Sequence, residues 1–237
     1  MSELHLPVGI ETCSMETAES VAGVLAEDVA RFLKRRLDQA REATLVVSGG
    51  STPLPFFRAL REKHLDWARV KVVLADERWV PESDPASNTA LVKQHLLQGR
   101  AGAAQFVSLM QPGPDPVSAL PAMDAAAGTL PLPLDVVVLG MGNDGHAASL
   151  FPDAPELSDA MDSAGTRKVA VMTPPSQAQV RVTLTMPVLA RARFTALHLK
   201  GESKLDTLSR AADNPADWKA MPVRAFLKPG LKVYWSP

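Results

Sequence analysis

The 237-residue sequence predicts an α/β protein built on a mainly parallel sheet with helices on both faces. Three observations predict it. Several short runs are apolar throughout rather than alternating, which is how strands buried on both faces read. Helical stretches separate them, as parallel connections require. Polar clusters come directly after the apolar runs, where an open parallel sheet keeps its ligand crevice.

The elements can be justified in chain order. Val21, Val24, Leu25, Phe32, Leu33 and Leu37 recur at helical spacing, which predicts an amphipathic helix over about residues 16–40. TLVVS (44–48) is a short buried strand that ends in Gly49-Gly50-Ser51-Thr52-Pro53. Pro53 suits a first helical position, with the helix running to about Lys63. VKVVLA (70–75) is the next strand and opens into DERWVPESDPASN, a loop by its prolines and its Ser and Asn content. Ser87 is placed to cap a helix over NTALVKQHLL. QFVSLM (105–110) reads as a strand, QPGPDP as a turn, and the Ala-rich stretch around Pro121 as a short or broken helix. DVVVLG (135–140) is the clearest strand. RKVAVM (167–172), FTALHLK (194–200) and LKVYWS (231–236) are further strands, and ESKLDTLSRAA is helical. VRVTLTM (180–186) reads either as a strand or as the lead into a helix. QPGPDP is the best candidate boundary, yet strands of one character flank it, so residues 1–237 are expected to form a single domain.

Composition limits the function classes. With 46% hydrophobic and 22% charged residues, the chain can bury a core without staples. A net charge of -1 gives no bulk attraction for nucleic acid or an anionic membrane, so an anion must be caught by a local cluster. The single cysteine, Cys13, cannot close an internal disulfide or supply a Cys-rich zinc site. The start MSELHLPVGIE lacks the basic and apolar regions of a signal peptide, and no apolar run approaches the roughly 20 residues that span a bilayer. A soluble cytoplasmic protein is expected.

Four polar clusters carry the candidate chemistry. Gly49, Gly50, Ser51 and Thr52 read either as a phosphate cradle at a helix start or as a plain capped turn. Asp76-Glu77-Arg78 reads as a substrate-orienting group or as a solvated charge run. In GMGNDGH the spacing of Gly140, Gly142 and Gly145 mimics a dinucleotide fingerprint. That fingerprint needs a long helix next and an acid ending the following strand. Pro152 limits any helix to a turn or two, and RKVAVM ends in Met172 and Thr173. This disfavours a nicotinamide oxidoreductase. The glycines instead shape a loop that presents Asp144 and His146, with Asp144 or Asp76 free to orient the imidazole. Arg181 and Lys204 (the latter in GESK) become credible phosphate ligands if the cradle is real.

The segments VVSGGSTP, ADERWVP…SN, VVLGMGNDGHAASLFP and QVRVTLTMPVL resemble the 6-phosphogluconolactonases in kind, order and spacing, from about Leu45 to Lys204. GMGNDGHAASLFP is the specific signal; SGGSTP is shared with amino-sugar-phosphate isomerases. The resemblance implies a three-layer αβα, modified Rossmann-like fold with a mainly parallel sheet. It implies hydrolysis of 6-phospho-D-glucono-1,5-lactone to 6-phospho-D-gluconate, a step of the oxidative pentose phosphate pathway. His146 then matches the histidine that activates water. Gly49, Gly50, Ser51 and Thr52 match the phosphate loop, and Arg181 and Lys204 its cations. Asp76 and Arg78 match positions at the rim.

Such chemistry needs a positioned water, a base and oxyanion donors. It demands no covalent nucleophile, metal or cofactor. No Gly-x-Ser-x-Gly elbow and no His-x-x-x-His spacing occurs. The expected partner is a small sugar-phosphate lactone, with neither nucleic acid nor membrane; a monomer and a homodimer both stay open. The alternatives are an amino-sugar-6-phosphate deaminase/isomerase and a non-catalytic sugar-phosphate sensor. Against the first, Arg78 stands where that family carries Tyr, and Ser149-Leu150-Phe151-Pro152 replaces Phe-Asn-Glu-Pro. Against the second, no basic helix-turn-helix pattern flanks the clusters.

Overall fold

The structure, a computed structural model, describes residues 5–237. The part of the signal-peptide reading that rests on residues 1–4 lies outside them. A seven-stranded sheet has the order β1-β10-β9-β6-β2-β3-β5, with every neighbouring pair parallel. Its strands are β1 (Glu11–Ser14), β2 (Ala43–Val47), β3 (Val70–Leu74), β5 (Gln105–Val107), β6 (Val136–Leu139), β9 (Phe194–Lys200) and β10 (Leu231–Ser236). All residues of β2 and β6 are buried, the burden that predicts continuous apolar runs. Helices cover both sides, as the α/β class requires.

The first helix, α1 (Ala18–Leu37), starts where Thr17 accepts a hydrogen bond from Ser20 N–H at 3.1 Å. It buries Val21, Leu25, Val29 and Leu33, a stripe at four-residue spacing, against the sheet and α2 (Leu54–Arg61). Ser87 caps α3 (Asn88–His95) as the sequence predicts, accepting from Ala90 N–H at 3.2 Å. Asp135 locks the register of the two central strands. Its carboxylate accepts from Thr44 N–H at 2.9 Å and from Arg36 Nε at 2.7 Å, while its own N–H donates to Thr44 Oγ1 at 2.7 Å. Removing one partner of such a buried pair costs about 3–5 kcal/mol.

Several expectations are corrected. Asp76–Arg78 is not loop but a strand, β4. It pairs antiparallel with β8 (Arg181–Leu184), and β8 pairs antiparallel with β7 (Val169–Met172), making a separate three-stranded sheet. VRVTLTM is therefore a strand, and RKVAVM belongs to the small sheet rather than the large one. The edge strand β1 has a mostly exposed pattern and gave no apolar signal. QFVSLM pairs only to Val107, because the Ser108 hydroxyl turns the chain by accepting from Met110 N–H at 3.1 Å.

The Ala-rich stretch forms one unbroken helix, α4 (Pro116–Ala127), despite Pro121. Asp115 caps its start, accepting from Val117 and Ser118 N–H at 2.9 Å. Burial of Ala119, Met123 and Ala127 along one stripe outweighs the single N–H that proline removes.

Candidate active site

Chain order places the crevice. From β2 the chain moves outward to β3 and β5, then crosses back to β6 on the other side of β2 and continues to β9 and β10. The carboxyl ends of β2 and β6, adjacent through Val47 and Val138, are thus the switch point where an open α/β sheet binds its ligand. A pocket of about 440 Å³ opens there. Of the ten residues nominated from sequence, nine line it: the Gly49–Thr52 turn, Asp76, Arg78, His146, Arg181 and Lys204. The tenth, Asp144, stands behind His146.

The two loops at the switch point lead into different structures. After β2 the turn enters α2 just past Pro53. Leu54 N–H is taken by the Ser51 carbonyl at 3.3 Å, and Pro53 and Pro55 carry none. The backbone donors beside the pocket are therefore those of the Gly49–Thr52 turn, at the positive end of the helix dipole. Gly49 lies so close to the Asn88 carboxamide that a Cβ there would overlap it. Asn88 in turn donates from Nδ2 to the Asp76 carbonyl at 3.0 Å, which ties this turn to β4.

After β6 there is no long helix. The chain folds back, with Gly142 N–H donating to the His146 carbonyl at 2.9 Å and an isolated bridge between Ala147 and Leu150. Ala148 sits at φ 50°, a left-handed conformation costing about 1 kcal/mol or more for a residue with a Cβ. The imidazole and the Asp144 carboxylate occupy the space that a Cβ on Gly142 would need.

That close packing seats the histidine. Asp144 Oδ1 is 2.6 Å from His146 Nδ1 and accepts the His146 backbone N–H at 3.1 Å. Burial raises the Asp144 carboxyl, but the hydrogen bonds and charge of His146 outweigh it and hold it below the usual carboxylate range. Asp144 is therefore ionised at neutral pH. On another side, the Phe151 ring lies 4.1 Å, centroid to centroid, from the imidazole. Asp76 does not orient the ring. It is the acceptor of a 2.6 Å hydrogen bond from Ser149 Oγ instead.

The Asp76-Glu77-Arg78 cluster divides by strand alternation. Asp76 and Arg78 face the pocket, while Glu77 turns inward and is 1% exposed. Glu77 accepts from Asn88 N–H at 2.8 Å, Thr89 N–H at 2.7 Å and Ser87 Oγ at 3.3 Å. It anchors the start of α3, so only two members of the cluster are available to a ligand.

Arg78 pairs in register with Arg181 across β4 and β8. Both have a buried Nε without a partner among the described residues. Burial lowers the Arg181 pKa, the neighbouring Arg78 lowers it further, and Asp76 and Glu77 oppose the shift. Burial likewise pushes the Lys204 ammonium down, against the pull of Asp144. A bound anion would relieve both. Lys204 lies in the first turn of α7 (Glu202–Asp213), which continues β9 and follows the one-turn helices α5 (Leu157–Ala160) and α6 (Met186–Leu189) in the chain.

Sequence reasoning passed over Asn88, Phe151 and His198 as pocket residues. Asn88 and Phe151 stood inside quoted motifs; His198 sits within an apolar strand and gave no signal. Among the described residues, no group of three or more His, Cys, Asp and Glu side chains is gathered as a metal site, and no helix is long and apolar enough to cross a membrane.

Known proteins resemble this chain in sequence and fold. The family of glucosamine-6-phosphate isomerases and 6-phosphogluconolactonase matches residues 16–235. A 6-phosphogluconolactonase of Pseudomonas aeruginosa is 48% identical, with 100% of this chain and 99% of that one aligned. One from Pseudomonas putida is 44% identical over 100% of this chain and 97% of its own. A crystal structure of a 6-phosphogluconolactonase from Shewanella baltica superposes with a TM-score of 0.91 at 39% identity, covering 98% of this chain and 100% of that one.

Proposed function

Because the chain belongs to the family of glucosamine-6-phosphate isomerases and 6-phosphogluconolactonases, we propose that its pocket works as a 6-phosphogluconolactonase, with His146 as the base. The reaction is hydrolysis of 6-phospho-D-glucono-1,5-lactone to 6-phospho-D-gluconate. The observation that carries the assignment is the 2.6 Å contact between His146 Nδ1 and Asp144, beside a glycine turn in one pocket.

Asp144 fixes the imidazole with Nδ1–H directed at its carboxylate, which leaves Nε2 as the basic nitrogen. Nε2 takes a proton from water as the oxygen attacks C1. The imidazolium then returns that proton to the ring oxygen as the C1–O bond breaks. A δ-lactone is already activated, so a base and positioning suffice.

The phosphate at the other end of the sugar is held by the Gly49–Thr52 turn, Arg181 and Lys204. Both the turn's backbone N–H groups and the partly desolvated cations favour a dianion. Asp76, braced by Ser149, and Arg78 sit at the rim beside the sugar.

The test is His146→Ala assayed by pH-stat on freshly made lactone. Acid release should fall by roughly 2–4 orders of magnitude with general-base catalysis lost. An unchanged rate would remove His146 from this role.

A further inference from the structure

One buried titratable side chain of the pocket has no part in that scheme. His198 lies in β9 between Leu197 and Leu199, is 4% exposed, and lines the floor of the pocket. Its ring meets Phe56 edge-on, with centroids 6.2 Å apart. Phe56 is in the first turn of α2, directly after the glycine turn. Six residues beyond His198, Lys204 opens α7 on the same pocket. The imidazole therefore packs against the start of α2, in the pocket that Lys204 also lines.

Nδ1 of His198 is buried with no hydrogen-bond partner among the described residues. Leaving such a nitrogen unpaired costs about 1–3 kcal/mol, which a leucine of similar volume would avoid. Burial also holds the ring neutral, its pKa pushed down to about 4. A neutral imidazole keeps one N–H donor and adds no charge that would need a counter-ion in the pocket.

We propose that His198 is a further ligand of the substrate's anionic end, donating a hydrogen bond from the pocket floor to a phosphate oxygen lodged between the starts of α2 and α7. This rests on the lactonase reading and adds a residue to its phosphate site. The donor is Nε2–H, because Nδ1 has no surface open to the pocket, and its bond to the anion is charge-assisted.

The experiment compares wild type, His198→Leu and His198→Gln. Affinities for 6-phosphogluconate, inorganic phosphate and gluconate are measured by calorimetry, and melting temperatures without ligand. His198→Leu should weaken 6-phosphogluconate and phosphate about 10-fold or more, the scale of one hydrogen bond to a charged group. It should leave gluconate unchanged, melt no lower than wild type and raise KM with little change in kcat. His198→Gln, which keeps a donor, should recover most of the affinity.

Unchanged 6-phosphogluconate affinity in the leucine variant overturns the inference while leaving the lactonase reading intact. So does a lowered melting temperature with affinity lost equally in both variants. A wild-type protein that binds no 6-phosphogluconate overturns both.

Discussion

The loops after β2 and β6 leave adjacent parallel strands, and both are rich in glycine, yet they deliver different things. The first runs into an eight-residue helix and offers backbone N–H groups. The second turns back on itself and offers a side chain held by Asp144. The glycines explain the split. Gly49 is needed for close approach to Asn88, and Gly142 for the space that the His146–Asp144 pair fills. A glycine-rich turn is a device for proximity, and the next element along the chain decides what is brought near.

Breaking the second loop should give the largest effect. Asp144→Asn removes the charge that orients His146, so kcat should fall about 100-fold with KM within a few-fold, because the lost interaction matters in the transition state. Equal losses in kcat and binding would mean that the loop has collapsed rather than lost its base.

The anion side should respond in the opposite parameter. Arg181→Ala should raise KM about 10- to 100-fold, the worth of a charge-assisted contact, with kcat largely kept. A neutral outcome in steady-state kinetics refutes its place in the phosphate site.

Gly49→Ala tests the first loop. The new Cβ must displace Asn88, which costs about 1–3 kcal/mol of stability by overpacking and should raise KM several-fold. Thermal melting and KM measured on one preparation separate the two effects.

The smallest kinetic effect is expected at Glu77→Gln. Its carboxylate holds three donors at the start of α3 together with the Arg78 N–H, so stability should drop by about 1–3 kcal/mol. Activity per folded molecule should barely change. A large kcat loss there would restore Glu77 to the catalytic cluster.

Legibility tracked burial geometry. Parallel strands covered on both faces write themselves as TLVVS and DVVVL, so the large sheet apart from its exposed edge strand β1, and the loops at its carboxyl end, could be read directly. The small sheet could not. Its strands have three or four residues, one of them is spelled Asp-Glu-Arg, and that one pairs with β8 across more than a hundred positions. The same long-range pairing hid the Arg78–Arg181 adjacency and the inward turn of Glu77. Asp144 and Asp76 looked equivalent as partners of His146, since only the folded loop shows which is within reach. His198 was invisible because one imidazole in an apolar strand reads as packing.

The central claim is that one pocket grips a phosphate at one end and presents an imidazole to the lactone at the other. The most direct test is pH-stat hydrolysis by the wild-type enzyme of 6-phosphogluconolactone and of gluconolactone without the phosphate. The account expects kcat/KM to be at least about 100-fold higher with the phosphate, since that contact positions C1 against the water. Equal values for the two lactones would contradict it.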